Sequence, residues 1–381
     1  MPSMRRTALY VGGFMGPFGT VLVIPMFPEL RDEFDRSTAA VGLSFSLYLL
    51  PFALTLLVSG TLGERWGRRR TVRTTYLVYA GASLACAVAP SLEWLLAARA
   101  VQGMANAFIT PLLLAGLADM VPPERFGREA GLYSSFQALG SGLGPIVGGI
   151  AADGDWRWAF VGAALVALLL ASSPPDGAPR PSATAPRLRP LLHRRMVALG
   201  VGFLLAAAGP VGVAVLVGVV ARDELGLSGS AAGLILFAGA MSALALGPVW
   251  GRLIDLLGLR RAALASAAAA SLATGALAFA STGTTLALVW AVGGGLVASL
   301  AVTYQATGAT IAPENRGGAL SFLLAFRFVG HAVGPIVLVP LLAWSDVGTF
   351  LVAASLGLVT LPILWVAVPV SSATSRPDPV P

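Results

Sequence analysis

The 381-residue chain contains no lysine, one cysteine and two histidines, and only 11% of its residues are charged. Each scarcity excludes something. Soluble globular proteins carry about 25% charged residues, and a chain that is 56% hydrophobic would expose large apolar patches in water. A water-soluble enzyme, a disordered regulator and a disulfide-stapled secreted domain are excluded together. Cys86 has no second cysteine to pair with and sits in the apolar run 84–88, so it says nothing about redox compartment. His193, His331 and Cys86 offer no cluster with metal-ligand spacing, so no metal site is expected. There is no G-x-x-x-x-G-K-[ST] segment and no soluble domain of any size, so ATP-driven pumping is excluded and no cofactor is expected.

What the chain does contain is long hydrophobic runs, with a mean hydropathy of +0.81. A hydrocarbon core of ~30 Å needs roughly 20 apolar residues per helix. Twelve such runs begin near Ala8, Ala40, Val72, Trp94, Ala130, Trp156, Met196, Ala231, Arg261, Thr285, Gly318 and Gly348. They are continuous, not alternating, which excludes a β-barrel. Connections are short except for a Pro/Ser/Arg-rich stretch after residue 173, including Pro174, Pro175, Pro179, Pro181, Pro186 and Pro190. It reads as a linker. The expected domains are 1–173, a six-helix bundle; 174–195, a cytoplasmic linker; and 196–381, a second six-helix bundle with a short cytoplasmic tail.

The net charge of +7 and pI near 10.4 do not indicate nucleic acid, because the arginines fall between apolar runs. With the N-terminus inside, 19 arginines lie in inner tails and loops and 4 (Arg31, Arg36, Arg157, Arg222) in outer loops, leaving Arg99 and Arg327 within spans. That asymmetry predicts cytoplasmic termini in a cell (inner) membrane. Arg5-Arg6 resembles a twin-arginine signal, but the following run contains Pro25 and Pro28 and lacks a small-residue cleavage site, so it reads as a retained anchor.

The chain is internally duplicated. At an offset of 191, Gly60, Leu62, Glu64, Gly67, Arg69 and Arg70 fall on Gly251, Leu253, Asp255, Gly258, Arg260 and Arg261. At 190, Pro123, Glu124, Gly127, Gly140, Gly144, Pro145 and Phe160 fall on Pro313, Glu314, Gly317, Gly330, Gly334, Pro335 and Phe350. Coincident Pro-Glu, Gly-Pro and acid-plus-Arg-Arg positions are hard to reach by chance even with 45 glycines. Parallel six-helix repeats are one plan of secondary transporters, with substrate held between the halves near mid-membrane.

The motifs carry a more specific resemblance. Gly60-Thr61-Leu62-Gly63-Glu64-Arg65-Trp66-Gly67-Arg68-Arg69-Arg70 resembles the loop 2–3 signature of the major facilitator superfamily, with Glu64 for the usual Asp and Gly63 for the usual Ala. Arg99-Ala100-Val101-Gln102-Gly103 resembles its fourth-span R-x-x-Q-G signature. The segment 140–149 resembles the fifth-span G-x-x-x-G-P-x-x-G-G motif of the drug:proton antiporter branch, as does the following Trp156-Arg157-Trp158-Ala159-Phe160. The resemblance covers nearly the whole chain. It implies an all-α polytopic membrane protein with twelve transmembrane helices in two pseudo-symmetric six-helix bundles, and a rocking, alternating-access mechanism.

Candidate site residues follow. Gly60, Glu64, Arg65, Gly67, Arg68 and Asp119, with the repeat copy Asp255, Arg260 and Arg261, form an expected inner gate. Glu64 would face the N-terminus of the eleventh span, starting near Gly318, Arg68 would reach Asp119, and the repeat copy would face Gly127. Arginines alone can also be mere topology markers. Arg99, Gln102 and Asn106 make a polar stripe on the fourth span, and a charge within a span is costly unless paired or wet. Arg327 and His331 lie four apart on one face of the eleventh, and a histidine can titrate near neutral pH. These five are the expected proton- or substrate-handling groups, with core packing as the plainer reading for each. Gly140, Gly144, Pro145, Gly148 and Gly149, repeated as Gly330, Gly334 and Pro335, are assigned by the resemblance to close packing between the halves. Tyr48, Gln137, Tyr304 and Gln305 are cavity candidates, whereas Trp250 and Trp290 read as packing or interface residues.

The function so implied is export of small lipophilic molecules by proton antiport, by a monomer, with no catalytic residues. Alternatives are a gradient-independent facilitator or importer of neutral or anionic molecules, and a non-transporting receptor. The first span carries no acid, unlike many proton antiporters, so a cavity with arginine and no carboxylate suits neutral or anionic substrates.

Overall fold

The computed structural model describes residues 2–177 and 189–368. Arg180, Arg187 and half of the expected linker (178–188), with Arg376 and the tail, lie outside the described residues. The described chain is helical throughout: α1 (Pro2–Val21), α2 (Phe27–Phe34), α3 (Thr38–Trp66), α4 (Arg68–Ala87), α5 (Leu92–Met120), α6 (Pro123–Ala152) and α7 (Arg157–Ala171) are followed by α8 (Arg194–Ala208), α9 (Ala214–Val219), α10 (Gly229–Leu257), α11 (Leu259–Leu277), α12 (Gly283–Ile311), α13 (Arg316–Leu342) and α14 (Asp346–Ala367). Because α1 with α2, and α8 with α9, each make one interrupted crossing, these helices build twelve crossings in two six-helix bundles. Helices α3, α5, α10 and α12 have 29 residues each, about 43 Å at ~1.5 Å per residue. Their ends therefore project beyond a ~30 Å hydrocarbon core.

Local chemistry explains the boundaries. Ser37, Ser91, Ser228 and Ser345 each accept a backbone N–H three residues on, capping α3, α5, α10 and α14. Thr282 and Thr285 form a reciprocal box at the start of α12. The duplicated arginine-rich motif has a backbone reason for its glycine. Gly67 (φ 94°) and Gly258 (φ 76°) make the one-residue corners between α3 and α4 and between α10 and α11, a conformation L side chains resist.

The first crossing is not the continuous helix expected over 8–27. Pro25 lacks an N–H, and the chain tightens into a 3₁₀ turn at Ile24–Met26 before α2. Glu29, Asp32 and Glu33 lie on α2. The seventh crossing breaks at Gly209 and the 3₁₀ turn Pro210–Gly212 and ends in a π turn at Val220–Glu224.

Packing repeats between the halves: α3 with α5 matches α10 with α12, α1 with α6 matches α8 with α13, and α4 with α7 matches α11 with α14. The halves meet where α6 packs on α10 and α3 on α13. Outward faces carry bare Leu and Val, such as Leu169 at 72% and Leu272 at 73% exposure, a surface suited to lipid and not to water. Exposed Trp94, Trp158 and Trp344 lie near helix ends, where indoles favour the membrane interface.

Candidate functional site

The arginine-rich side holds a buried ion cluster. Arg68 is fully enclosed; its Nε donates to Glu64 Oε1 at 2.7 Å, and its Nη1 donates to Asp119 Oδ2 at 2.9 Å and to the Asp176 carbonyl at 3.3 Å. These bonds fasten α3, α4, α5 and the chain after α7 within the first half. Gly60 sits where a Cβ would contact Pro111 of α5 at 3.4 Å, while Arg65 is exposed. The repeat copy is arranged differently. Arg260 turns away from α6, stacking 4.0 Å over Trp365 of α14 and donating to the Trp365 carbonyl. Asp255 and Arg261 are exposed, and a Cβ at Gly127 would meet nothing within 4 Å. Contact between the repeat motif and the start of α6 is therefore not made in this conformation. The N-terminus of α13 is capped by its own Asn315, whose Oδ1 accepts from Gly318 N at 3.3 Å.

Arg99 is placed far from any opening. It is fully buried and donates to the backbone carbonyls of Ser44 (3.0 Å), Gly19 (2.8 Å) and Thr20 (3.3 Å) and to Gln102 Oε1 (2.8 Å). Gly19 and Thr20 lie in the last turn of α1, whose carbonyls have no intrahelical partners. The guanidinium thus caps the broken end of α1, where a cation is favoured, with the Tyr48 ring 4.3 Å beneath it. Gln102 Nε2 donates onward to Ser83 Oγ at 2.7 Å. Asn106 is buried one turn further along, against Gly16. Arg99, Gln102 and Asn106, expected to handle protons or substrate, here knit α1, α3, α4 and α5 together, because the helix break supplies carbonyls that a buried cation can satisfy.

The glycines of α6 divide into two faces. A Cβ at Gly140, Gly144 or Gly148 would meet backbone of α1 or the turn after it, at Phe14 O (2.2 Å), Phe18 O (2.8 Å) and Leu22 O (2.0 Å). Gly330 and Gly334 of α13 likewise abut α8, at Leu204 O (2.3 Å) and Ala208 O (2.5 Å). These five pack within their own halves, not between halves as expected; helical spacing of four selects one face, and that face looks inward. The cross-half contact uses the neighbouring face: Gly149 against Gly229 O (2.0 Å) and Gly233 against Pro145 O (2.4 Å). Pro335 is buried in α13.

The ends of the halves opposite the arginine-rich side, expected to be the outer ends, are latched. Asp153 accepts from the backbone N–H groups of Gly229 (2.6 Å) and Ser230 (2.8 Å), capping α10 from the opposite half. Burial pushes this carboxyl up, but the Ser230 hydroxyl and the two backbone donors prevail and hold it below the usual aspartate range. Arg222 pairs with Glu29, Arg31 with Asp223 at 3.2 Å, and Thr38 Oγ1 donates to Asp223 at 2.9 Å.

Behind this seal lies a cavity of about 190 Å³ between the halves, lined by Val21, Ile24, Ser141 and Pro145 on one side and by Val211, Leu236, Trp290, Val297, Arg327 and His331 among others on the other. It shares Ser141, Ala240 and Ala243 with a cavity of about 420 Å³ between α6 and α10, which extends to Ala138, Gly247 and Pro248 toward the arginine-rich side. Apart from Ser141, Arg327 and His331, the lining of both cavities is apolar. The structure brings Arg327 and His331 together here. Trp290, read from sequence as packing, also lines the cavity. Its indole position next to a Gly-Gly-Gly run (293–295) was the available signal, since glycine at 294 lets α12 approach Gly239 of α10 closely. Tyr304 is corrected: it is fully buried and stacked on Phe203 at 4.6 Å. Tyr48 is sealed under Arg99. Gln305 bonds back to the Ala301 carbonyl at 3.1 Å, and Gln137 is half-buried one turn before Ser141.

Two six-helix bundles with cavities along the seam between them have the architecture of a membrane carrier. The match to the family model described as Major Facilitator Superfamily spans residues 9–220 and 197–380, and the chain belongs to that superfamily of transporters. Solved structures with the same fold include the nucleoside transporter NupG (TM-score 0.79, 13% identity, 95% of this chain and 99% of that one). Another is a bacterial homologue of the human lysosomal transporter Spinster, inward-facing and unoccupied (TM-score 0.72, 17% identity, 96% and 95%). Among curated relatives, the probable actinorhodin transporter of Streptomyces coelicolor is 34% identical over 148 residues, 38% of this chain and 25% of its own length. The MFS antiporter QDR3 of Candida albicans is 29% identical over 143 residues, 38% and 20%, and the MFS-type transporter YybF of Bacillus subtilis 31% over 163 residues, 42% and 40%. The chain matches less than half the length of these relatives.

Proposed function

We propose that this transporter exports small lipophilic molecules from the cell by alternating access, in exchange for protons. The observation that carries the reading is the apolar cavity between the halves, sealed at the outer latch and continuous toward the arginine-rich side. Supporting it are the antiporter-type motif at 140–149 and the presence of an MFS antiporter and a probable actinorhodin transporter among the relatives. In this reading 1–173 and 196–381 are the rocking bodies, 174–195 is the linker, and one chain works as a monomer in the inner membrane with cytoplasmic termini. The Glu64–Arg68–Asp119 cluster holds one half rigid, while the exposed Asp255 and Arg261, with Arg260 released from Trp365, engage α6 when the inner end closes. His331 is the cavity group able to take up and release a proton.

A second reading, gradient-independent facilitation, is favoured by one observation: among the described residues no Asp or Glu lines either cavity. Proteoliposomes loaded with a panel of lipophilic dyes, with and without an imposed pH gradient, separate the two. Antiport predicts movement driven by the gradient; flux indifferent to it selects the facilitator, and no flux of any compound rejects both.

A further inference from the structure

The cavity wall contains three nitrogen groups with nothing to bond. Arg327 Nε, His331 Nε2 and Trp290 Nε1 are each shielded from solvent and without a hydrogen-bond partner, and all three residues line the same cavity. Arg327 and Trp290 can only donate, and His331 donates in the tautomer with its proton on Nε2. Among the described residues Arg327 makes no ion pair, and its guanidinium lies 5.5 Å from the centre of the neighbouring Phe328 ring. This contrasts with Arg99, which is fully buried and satisfied by backbone carbonyls and Gln102. A guanidinium left unpaired in an apolar membrane cavity is costly. The counter-charge must come from something that enters.

We propose that the transported substrate class is a lipophilic organic monoanion, its charged head group held by Arg327, with His331 one helical turn away and Trp290 completing the donor set, and its apolar body on the Val, Leu and Ala lining. The proposal rests on the transporter reading and names its substrate. Arg327 and His331 are four apart on α13, so their side chains lie on one face about 5–6 Å apart at Cβ, a span that two oxygens of one head group can bridge. The remaining lining (Val21, Ile24, Val211, Leu236, Val297) offers no charge, which selects an organic anion over an inorganic one. The energetics also become simpler. Carrying a monoanion outward moves negative charge down the inside-negative membrane potential, so no cavity carboxylate is required for uphill export; an inward proton adds to that drive.

The test uses purified full-length protein and isothermal titration calorimetry with 1-naphthalenesulfonate, its neutral analogue 1-naphthalenesulfonamide, and inorganic sulfate. The sulfonate binds at least tenfold more tightly than the sulfonamide, and sulfate does not compete. Arg327→Gln brings the two naphthalene ligands to equal affinity. Trp290→Phe, which keeps the ring and loses the donor, weakens the sulfonate severalfold and leaves the sulfonamide unchanged, so the inference does not depend on one variant's folding. Equal affinities in the parent protein, a preserved ratio in Arg327→Gln, or sulfate binding as tight as the sulfonate each overturn the proposal. Absence of binding by both naphthalene ligands overturns it too. Neutral compounds transported without anion preference would leave the transporter reading intact and remove this one; sulfonate binding without flux of any compound would remove the transporter reading and leave only an anion-binding site at Arg327.

Discussion

Gly149→Ala tests the two glycine faces of α6 against each other. An added Cβ at Gly149 would lie 2.0 Å from the Gly229 carbonyl oxygen of the opposite half, where ordinary contact begins near 3.4 Å. Alanine favours the helix itself, so the substitution acts mainly on the cross-half approach, which must widen by about 1.4 Å. The same displacement carries the adjacent Asp153 bonds, 2.6 and 2.8 Å long, beyond hydrogen-bonding distance. Charge-assisted bonds contribute ~1.5–3 kcal/mol each, and the low end suits this partly exposed site. A loss of ~3 kcal/mol moves the closed-to-open ratio of the outer end by on the order of 100-fold. Cys86 is fully buried, so an introduced Ile24→Cys, 1% exposed behind the seal, can be read with a membrane-impermeant maleimide added outside. Labelling rises strongly in Gly149→Ala. Gly140→Ala, whose Cβ meets Phe14 O at 2.2 Å inside one half, instead lowers thermal stability by ~1–3 kcal/mol with labelling unchanged. Unaltered labelling in Gly149→Ala, or equal opening by Gly140→Ala, would refute the division of faces.

Other expectations follow from the same contacts. The Asp153 carboxyl is depressed only while it caps α10, so protonation favours the open outer end: the latch is complete above the ordinary aspartate value of about 3.9 and is lost as pH falls through the lower closed-state value. Outer-end distances from spin labels read this, and Asp153→Asn removes the acid response; an identical acid response in that variant contradicts the assignment. Arg99→Lys cannot serve three carbonyls and Gln102 at once, and thermal unfolding will show a loss of ~2–4 kcal/mol with flux per folded molecule retained; unchanged stability with lost flux would return Arg99 to the transport path. Glu64→Gln loosens the Arg68 cluster, lowering turnover more than expression, and normal turnover counts against its mechanical role. If the substrate is a monoanion, each 100 mV of inside-negative potential contributes ~2.3 kcal/mol, on the order of a 50-fold concentration ratio, measurable with a valinomycin-set potassium potential; accumulation indifferent to voltage argues against an anion.

The membrane architecture was legible because burial in lipid is a composition-level signal: long apolar runs, arginines between them, and a repeat offset that recurs at Gly67 and Gly258 with the same strained backbone. Arg68 to Asp119 was legible too, since both lie at helix ends on the arginine-rich side. The role of Arg99 was not, because its partners are backbone carbonyls freed by the break after α1, and carbonyls leave no trace in residue type. The glycine faces misled for a related reason: four-residue spacing identifies a close contact without saying which helix is contacted. Trp290 was missed because an indole lining a cavity and an indole in a core look alike until Gly239 and Gly294 are seen to bring α10 and α12 together.

Counterflow tests the central claim of one site exposed alternately to two sides. Proteoliposomes preloaded with unlabelled 1-naphthalenesulfonate are diluted into a trace of the labelled compound, with no pH gradient or potential imposed. Alternating access predicts a transient internal overshoot of label above the external concentration, absent from protein-free vesicles. Label that only equilibrates, with no overshoot at saturating internal compound, would contradict a carrier and indicate a pore or a receptor.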